Sequence, residues 1–255
     1  MVGMAKPILI TNWKNYPNSL SEAKTLLAQL SRNRSIYKKV SLFIAPPLPY
    51  LESVSSRSRS FARLAVQGLS PVLRGVHTGV VTPDILKSLG VKLSILGHSE
   101  ERAMGETNEQ VAKKTRIALN SGFMPLVCVG EPSRDDDGLH FEFLREELKF
   151  SLAGLNRKVD ASKLAIAYEP IWAIGKRAQD AISPTDLAET IIFIRKVLTD
   201  MFDRKIAERV TILYGGSVEA SNASALFKGT GIKGFLVGHA SLDAKDFLDI
   251  AKSLI

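Results

Sequence analysis

The sequence predicts an α/β fold, a (β/α)8 barrel formed by a single domain over residues 1–255. Three observations indicate this fold. Short β-branched runs alternate with helical periods along the whole chain, the strand-like runs number eight, and no linker or shift in composition divides the chain. Alternation of this kind is typical of a parallel sheet, and α/β barrels commonly have about 250 residues.

The predicted strands are short apolar runs bounded by turn residues. In chain order they are Ile8–Ile10, Val40–Ala45, Arg63–Val66, Leu93–Leu96, Pro125–Val129, Leu164–Tyr168, Thr211–Tyr214 and Gly234–Val237. Between strands, apolar residues recur with a helical period in Leu20–Leu30, Val111–Leu119, Leu187–Leu198 and Phe247–Leu254. Ser19, Pro83 and Pro184 mark helix starts, because Ser favours the N-cap and Pro the first turn. The serine-rich stretch 53–60 indicates an exposed helix end and loop.

Seven of the strands end on, or just before, a polar residue or a glycine. These residues are Asn12, Gln67, His98, Glu131, Glu169, Ser217 and Gly238. An open, doubly wound sheet has the same alternation of strands and helices, so the strand count alone does not decide the topology. Closing the sheet would gather these residues into one ring, which favours a barrel with its reactive face at the carboxyl ends of the strands.

Glu169 is the strongest candidate for chemistry. It follows an apolar strand, and Pro170 after it has no N–H to continue strand pairing. The apolar segment Ile171–Ile174 and Gly175 then begin a long loop that could cover the carboxylate. Taken alone, a glutamate at a strand end often does no more than face solvent. Under a hydrophobic lid, however, a carboxylate loses hydration and becomes a better general base.

Composition indicates a globular protein of the reducing cytosol. Hydrophobic residues make up 45% of the chain and charged residues 24%, so we expect a large core. The single Cys128 excludes an intrachain disulfide. No apolar run approaches the roughly 18 residues of a membrane span, and residues 1–6 are too short and polar for a signal peptide. We therefore expect a cytoplasmic protein without a membrane partner.

The net charge of +8 favours anionic partners, either nucleic acid or phosphorylated metabolites. Basic residues cluster in Arg32–Lys39 and Arg57–Arg63. Neither cluster alternates basic and aromatic residues along its length, as a groove for single-stranded nucleic acid would. We interpret both clusters as solvated surface and expect no nucleic-acid partner.

The sequence contains no motif that requires a cofactor or a metal. Gly229–Gly234 matches G-x-G-x-x-G, but it precedes a strand instead of joining a strand to a helix, so it fails the dinucleotide-binding context. No P-loop, H-E-x-x-H or paired-cysteine motif occurs. We expect neither a cofactor nor a metal site.

Five ordered motifs resemble those of the triosephosphate isomerase family. They are Asn12–Lys14, Gly97–Glu100, Ala167–Gly175, Tyr214–Val218 and Gly234–Gly238. The resemblance spans nearly the whole chain and implies a TIM barrel. It also implies interconversion of dihydroxyacetone phosphate and D-glyceraldehyde 3-phosphate.

The resemblance also implies roles for individual residues. Glu169 would be the base, and His98 a neutral electrophile, the pairing that this family exemplifies. We expect Ser99 to cap a short helix over Glu101–Met104, whose N-terminus disfavours imidazolium. Lys14 and Asn12 would bind substrate and stabilise negative charge on its oxygen.

Phosphate would be held largely by backbone N–H groups at the ends of the last strands and in the lid. The implied positions are Gly175, Ser217, Gly238 and His239, with Gly215, Gly216 and Glu100 in support.

The chain departs from the family at three places. His239 replaces a usual glycine, so we expect strain from a positive φ there. The lid continues from Gly175 into Lys176 and Arg177, which leaves its second hinge uncertain. Val80 and Glu101 replace both halves of a usual charge pair. We still expect a homodimer through the loop that carries Thr78.

Two alternatives on the same scaffold remain open from the sequence, besides a basic nucleic-acid-binding protein, whose affinity would fall steeply with salt. The same groups would serve a related isomerase acting on a phosphorylated tetrulose. The same scaffold could also be a non-catalytic binder of phosphorylated ligands, which would be favoured if Glu169, His98 or Lys14 were missing.

Overall fold

A computed structural model describes residues 6–73, 75–135, 137–176 and 181–255. The eight predicted strands are all present and pair in sequence order, each parallel to the next, to form a closed barrel. The strands β1 to β8 are Ile8–Asn12, Ser41–Ala45, Arg63–Val66, Val91–Leu96, Met124–Val129, Ala165–Tyr168, Thr211–Tyr214 and Gly234–Val237. The predicted fold class is therefore confirmed.

Closure depends on pairing between the first and last strands. Ile8 lies opposite Gly234 in the β1–β8 ladder, and the register continues to Thr11 opposite Val237. Gly234 has φ +145°, and an added Cβ would lie 1.7 Å from the carbonyl oxygen of Ile8. Only glycine allows this approach of the two backbones.

Helices surround the barrel. The eleven α-helices found in the described residues, α1 to α11, are Leu20–Ser31, Arg34–Tyr37, Leu51–Ser58, Pro83–Ser88, Ser99–Ala103, Asn108–Ser121, Leu139–Ser151, Pro184–Met201, Arg204–Arg209, Ala220–Phe227 and Ala244–Ser253. Short 3₁₀ helices cover Leu48–Tyr50, Ala161–Lys163, Ile171–Ala173 and His239–Leu242. No helix in this part of the chain combines the length and apolar content needed to cross a lipid bilayer.

Helix starts follow the predicted signals. The Ser19 hydroxyl accepts from the N–H of Glu22 at 3.2 Å, and Ser183 caps α8 by accepting from Asp186 at 3.1 Å. The serine-rich stretch differs from the expectation. Ser55 and Ser58 are buried, because they lie on the inner face of α3, and Ser55 donates to the carbonyl of Leu89 at 2.7 Å.

Two apolar layers position the site. In β6, Ala165 and Ala167 point into the barrel, whereas Ile166 and Tyr168 belong to the core between strands and helices. The inner layer also contains larger side chains, such as Phe43 and Leu93, so the barrel is filled. Chemistry is therefore confined to the open end of the barrel, where the strand ends meet loops.

We predict that Gly234→Ala lowers the free energy of unfolding by about 3 kcal/mol, because the new methyl group overlaps the backbone of β1. Gly105→Ala is the control, since Gly105 also has positive φ but has open space around it. Urea titrations at one protein concentration measure both. Equal losses would show that φ strain, and not barrel closure, requires glycine at position 234.

Candidate active site

One cavity of about 610 Å³ lies at the carboxyl end of the barrel. The ends of β1, β4, β6, β7 and β8 and the start of the lid all contribute to its lining. Ten of the predicted site residues line it, namely Asn12, Lys14, His98, Glu169, Gly175, Gly215, Gly216, Ser217, Gly238 and His239. The lining does not include Gln67, Glu131 or Glu100. Each of these residues is hydrogen-bonded to a lining residue or to the lid.

Glu169 lies directly after β6 and is 2% exposed. Its backbone N–H donates to the carbonyl of Val129 at 2.8 Å, which fixes the strand end. Neither carboxylate oxygen has a hydrogen-bond partner among the described residues. Gly215 packs against this side chain, and a Cβ there would come within 2.7 Å of the Glu169 Cγ. The carboxylate is thus held firmly while its oxygens remain available to accept a proton.

His98 is oriented by the helix that follows it. Its Nδ1 accepts a hydrogen bond from the backbone N–H of Glu100 at 3.3 Å, so the proton of a neutral ring lies on Nε2. Nε2 lies 3.8 Å from Glu169 Oε1. The imidazole therefore presents a donor to the same space that the carboxylate faces.

The expectation that Ser99 caps this helix is wrong. Helix α5 begins at Ser99 itself, and His98 is the N-cap. Capping preferences favour hydroxyl and carboxyl side chains and do not anticipate a ring nitrogen in this role. His98, the candidate electrophile, thus also accepts a hydrogen bond from a backbone N–H of the first helical turn that would otherwise be unpaired.

Lys14 has an unusual backbone conformation, with φ +51°. Its N–H donates to Asn12 Oδ1 at 3.0 Å. Its carbonyl accepts from the side chain of Gln67 at 2.9 Å, and the same amide group donates to the carbonyl of Ala45 at 3.0 Å. The ammonium pairs with Glu100 Oε1 at 2.6 Å. Because left-handed geometry disfavours a side chain, these contacts hold Lys14 in place.

Buried Glu131 anchors the start of the lid. Its Oε1 accepts from the Tyr168 hydroxyl and from Trp172 Nε1, both at 2.8 Å, and its backbone carbonyl accepts from the N–H of Ile171 at 2.9 Å. Burial and the nearby carboxylate raise the pKa of Tyr168, so its hydroxyl remains a donor at working pH. Trp172 is half-buried and is held by this bond.

The lid continues over the cavity. Ser217 Oγ donates to the carbonyl of Ala173 at 2.8 Å, which joins the lid to the loop after β7. Ile174, Gly175 and Lys176 line the cavity, and Gly175 has φ +72°. The sequence leaves the second hinge of the lid uncertain, and residues 177–180 of the segment after Gly175 lie outside the described residues.

The opposite wall contains the residues expected to hold phosphate. Gly238 lies beside Lys14, since a Cβ added there would be 3.5 Å from Lys14 Cε. The expectation of strain at His239 is wrong, because Lys14 is the one non-glycine residue with positive φ in the described part of the chain. His239 instead begins a 3₁₀ helix without strain, and its exposed side chain lines the cavity. Asp246 lines the same wall, so the wall is not purely cationic.

Sequence reasoning missed the buried network beneath the site. Arg102 donates to the carbonyls of Gly97, at 2.7 Å, and Cys128, at 3.2 Å. It also pairs with Glu147 at 3.3 Å, and Glu147 accepts from the N–H of Gly130 at 2.8 Å. Burial raises the pKa of Glu147, and Arg102 opposes that rise. The network fixes the loops after β4 and β5, including the one that carries His98.

Within the described residues, no group of three or more His, Cys, Asp or Glu side chains is arranged to hold a metal ion. The side chains that line the cavity supply a carboxylate acceptor, an imidazole donor and an ammonium group.

We predict that Cys128 resists thiol reagents in the folded protein. It is buried beneath Glu169, and burial, reinforced by that carboxylate, raises the pKa of its thiol. Labelling at pH 8 should be at least about a hundredfold slower than in denaturant, because the reactive thiolate is scarce and shielded. Rapid labelling of the folded chain would contradict this environment.

The raised pKa of Cys128 also makes the stability of the fold depend on pH. Below about pH 8.5 the thiol is protonated in both folded and unfolded chains. At higher pH the unfolded chain loses this proton first, so the contribution of Cys128 to stability declines as pH rises.

Comparisons with known proteins agree with this geometry. A family model described as triosephosphate isomerase matches residues 7–254. A triosephosphate isomerase of Fusobacterium nucleatum is 36% identical over 253 residues, covering 98% of this chain and 99% of the relative. One of Dictyostelium discoideum is 37% identical, covering 93% and 94%. One of Carboxydothermus hydrogenoformans is 37% identical, covering 99% and 100%. The chain belongs to the triosephosphate isomerase family.

Proposed function

We propose that Glu169, His98 and Lys14 interconvert dihydroxyacetone phosphate and D-glyceraldehyde 3-phosphate in this cavity, a step of glycolysis and gluconeogenesis. The observation that carries the proposal is the 3.8 Å separation of Glu169 Oε1 and His98 Nε2 within a cavity that Lys14 also lines. A base and a donor this close can act on adjacent atoms of one small substrate.

Glu169 takes the proton from C1 of the ketone, and the electron pair moves to the oxygen on C2. His98 Nε2–H donates to that oxygen, and the Lys14 ammonium stabilises its negative charge, giving an enediolate. His98 then transfers the proton to the C2 oxygen and recovers one from the C1 hydroxyl. Finally, Glu169 returns its proton to C2, so the aldehyde forms with no net gain or loss of atoms.

The contacts around Lys14 and His98 support these roles. Asn12 and Gln67 hold Lys14 in its strained conformation, and Glu100 both orients its ammonium and donates to His98. Because the protein is organised before substrate binds, little reorganisation is needed during the reaction.

We assign the phosphate to the wall formed by the loops after β7 and β8. Gly215, Gly216, Ser217, Gly238 and His239 line this wall. The N–H of Gly215 already donates to the carbonyl of Tyr168 at 2.8 Å, and glycines let a ligand approach the other backbone N–H groups closely. Gly175 of the lid lines the same cavity and would add its backbone N–H to this group.

Membership of this family favours isomerisation of a triose phosphate over the two alternative functions on the same scaffold. A phosphorylated tetrulose would use the same three groups, but the relatives reported above are named triosephosphate isomerases. A non-catalytic binder would have no need to retain Glu169, His98 and Lys14 together.

We further propose that the whole chain is one domain and that it works as a cytoplasmic homodimer. A free, buried Cys128 suits a reducing compartment. The loop that carries Thr78 exposes Val76 fully and Leu73 by half, apolar surface that a second subunit would cover. Val80 and Gly79 of this loop also line a cleft of about 310 Å³.

We predict that Glu169→Gln lowers kcat on dihydroxyacetone phosphate about 10³-fold, because the amide keeps the shape of the side chain but cannot accept the proton. Glu142→Gln, at an exposed position of α7, is the matched control. A coupled assay with triose and tetrulose phosphates measures both variants. Equal rates for wild type and Glu169→Gln would exclude Glu169 as the base, and no activity on either sugar would favour the non-catalytic binder.

We predict that His239→Gly leaves kcat within about tenfold at pH 7, because the backbone N–H at this position survives the change. Steady-state kinetics with dihydroxyacetone phosphate provides the measurement. A loss beyond about a hundredfold would instead assign an essential role to the imidazole.

We predict a dimer by sedimentation equilibrium. Val76→Arg should shift the protein towards monomer, because it places a charge in the proposed interface. Ile192→Arg, which changes a similarly exposed apolar residue on α8, should remain dimeric. A wild-type monomer would contradict the proposed assembly.

A further inference from the structure

A second cleft, separate from the active-site cavity, lies against helix α7. Its volume is about 570 Å³, and its walls are the turn before α6, the first turn of α6, one face of α7 and the first residue of the lid, Ile171. None of the residues assigned above to proton transfer or phosphate binding lines it. We refer to it as the α7 cleft.

The α7 cleft has an apolar, aromatic wall. Phe143 and Phe150 line it and are 42% and 53% exposed, and Ile171 is 38% exposed. Residues seven apart lie on one face of a helix, about 10 Å from each other along its axis. The two rings therefore form a surface about as long as three extended residues of a bound peptide.

The charges of the α7 cleft are negative overall. Glu106 is paired with Lys114 at 2.5 Å, and Glu147 is paired with Arg102 at 3.3 Å. Glu109 and Glu146 also line the cleft and are exposed, and neither has an ion-pair partner in the described residues. The cleft therefore has a local excess of two carboxylates, although the net charge of the whole chain is +8.

We propose that the α7 cleft binds a short segment of another protein that combines basic and apolar residues. An arginine side chain fits both kinds of wall, because its guanidinium pairs with carboxylates and stacks on aromatic rings while its stem covers apolar surface. Leucine-like neighbours would cover Phe143, Phe150 and Ile171. Long-range attraction does not explain such binding, since a basic peptide is repelled by the rest of the chain.

Binding would also affect the lid. Ile171 begins the lid, and its N–H is bonded to the carbonyl of Glu131 at 2.9 Å, so a segment packed on Ile171 restrains the lid start. This second effect rests on the proposed function. We expect kcat to fall when the cleft is saturated.

The probe is a blocked five-residue peptide of alternating arginine and leucine, with a glutamate–leucine peptide as control. Calorimetry on the full chain should detect binding of the basic peptide alone. Glu109→Gln/Glu146→Gln, and separately Phe143→Ala/Phe150→Ala, should each weaken binding at least about tenfold. Glu142→Gln, on the same helix but outside the cleft, should bind as wild type does.

Three results would overturn the docking proposal: equal binding of both peptides, unchanged affinity in the two double variants, or loss of self-association in those variants, which would assign the cleft to a second copy. The effect on the lid is tested separately by activity at saturating peptide. Tight binding with unchanged kcat would exclude restraint of the lid, whereas an inactive wild type would contradict the proposed function and not the docking site.

Discussion

The hydrogen bond from the backbone N–H of Glu100 to His98 Nδ1 is the interaction on which the site depends. It fixes the ring orientation and leaves Nε2 as the donor that faces Glu169. Glu100, which supplies this N–H, also pairs with the Lys14 ammonium through its side-chain carboxylate. One turn of a five-residue helix thus orients two of the three groups proposed to act on the substrate.

The rest of the structure serves to hold that turn opposite Glu169. Arg102 ties the loop before His98 to the end of β5. Glycines then allow β5, β6 and β7 to approach closely: a Cβ on Gly130 would lie 1.9 Å from the carbonyl oxygen of Glu169, and Gly215 packs against its side chain. Because the barrel interior is filled by apolar side chains, these polar groups collect at its open end.

Much of this could be predicted from the sequence, because strands and amphipathic helices have a local period. All eight strands are predicted within a few residues of their bounds, and helices begin where Ser19 and Pro184 indicate. Convergence of Asn12, His98 and Glu169 followed from barrel closure, since parallel strands bring their carboxyl ends to one rim.

What the sequence could not provide depends on contacts between distant residues. Gln67 lies 53 residues from Lys14, whose carbonyl it holds, and no local pattern marks the pairing of Arg102 with Glu147. The capping role of His98 was missed because capping rules concern oxygen-bearing side chains. His239 was expected to be strained by analogy with a glycine, whereas the backbone after Gly238 adopts a short helix that any residue accepts.

The most direct test of the site is the position of the proton on His98. Nitrogen-15 NMR of labelled histidine at pH 7, with the His98 signals assigned by their loss in His98→Gln, distinguishes the two ring nitrogens. We expect a neutral ring with the proton on Nε2 and an unprotonated Nδ1. A proton on Nδ1, alone or in a doubly protonated ring, would contradict the proposed role of His98 as the donor to the substrate oxygen.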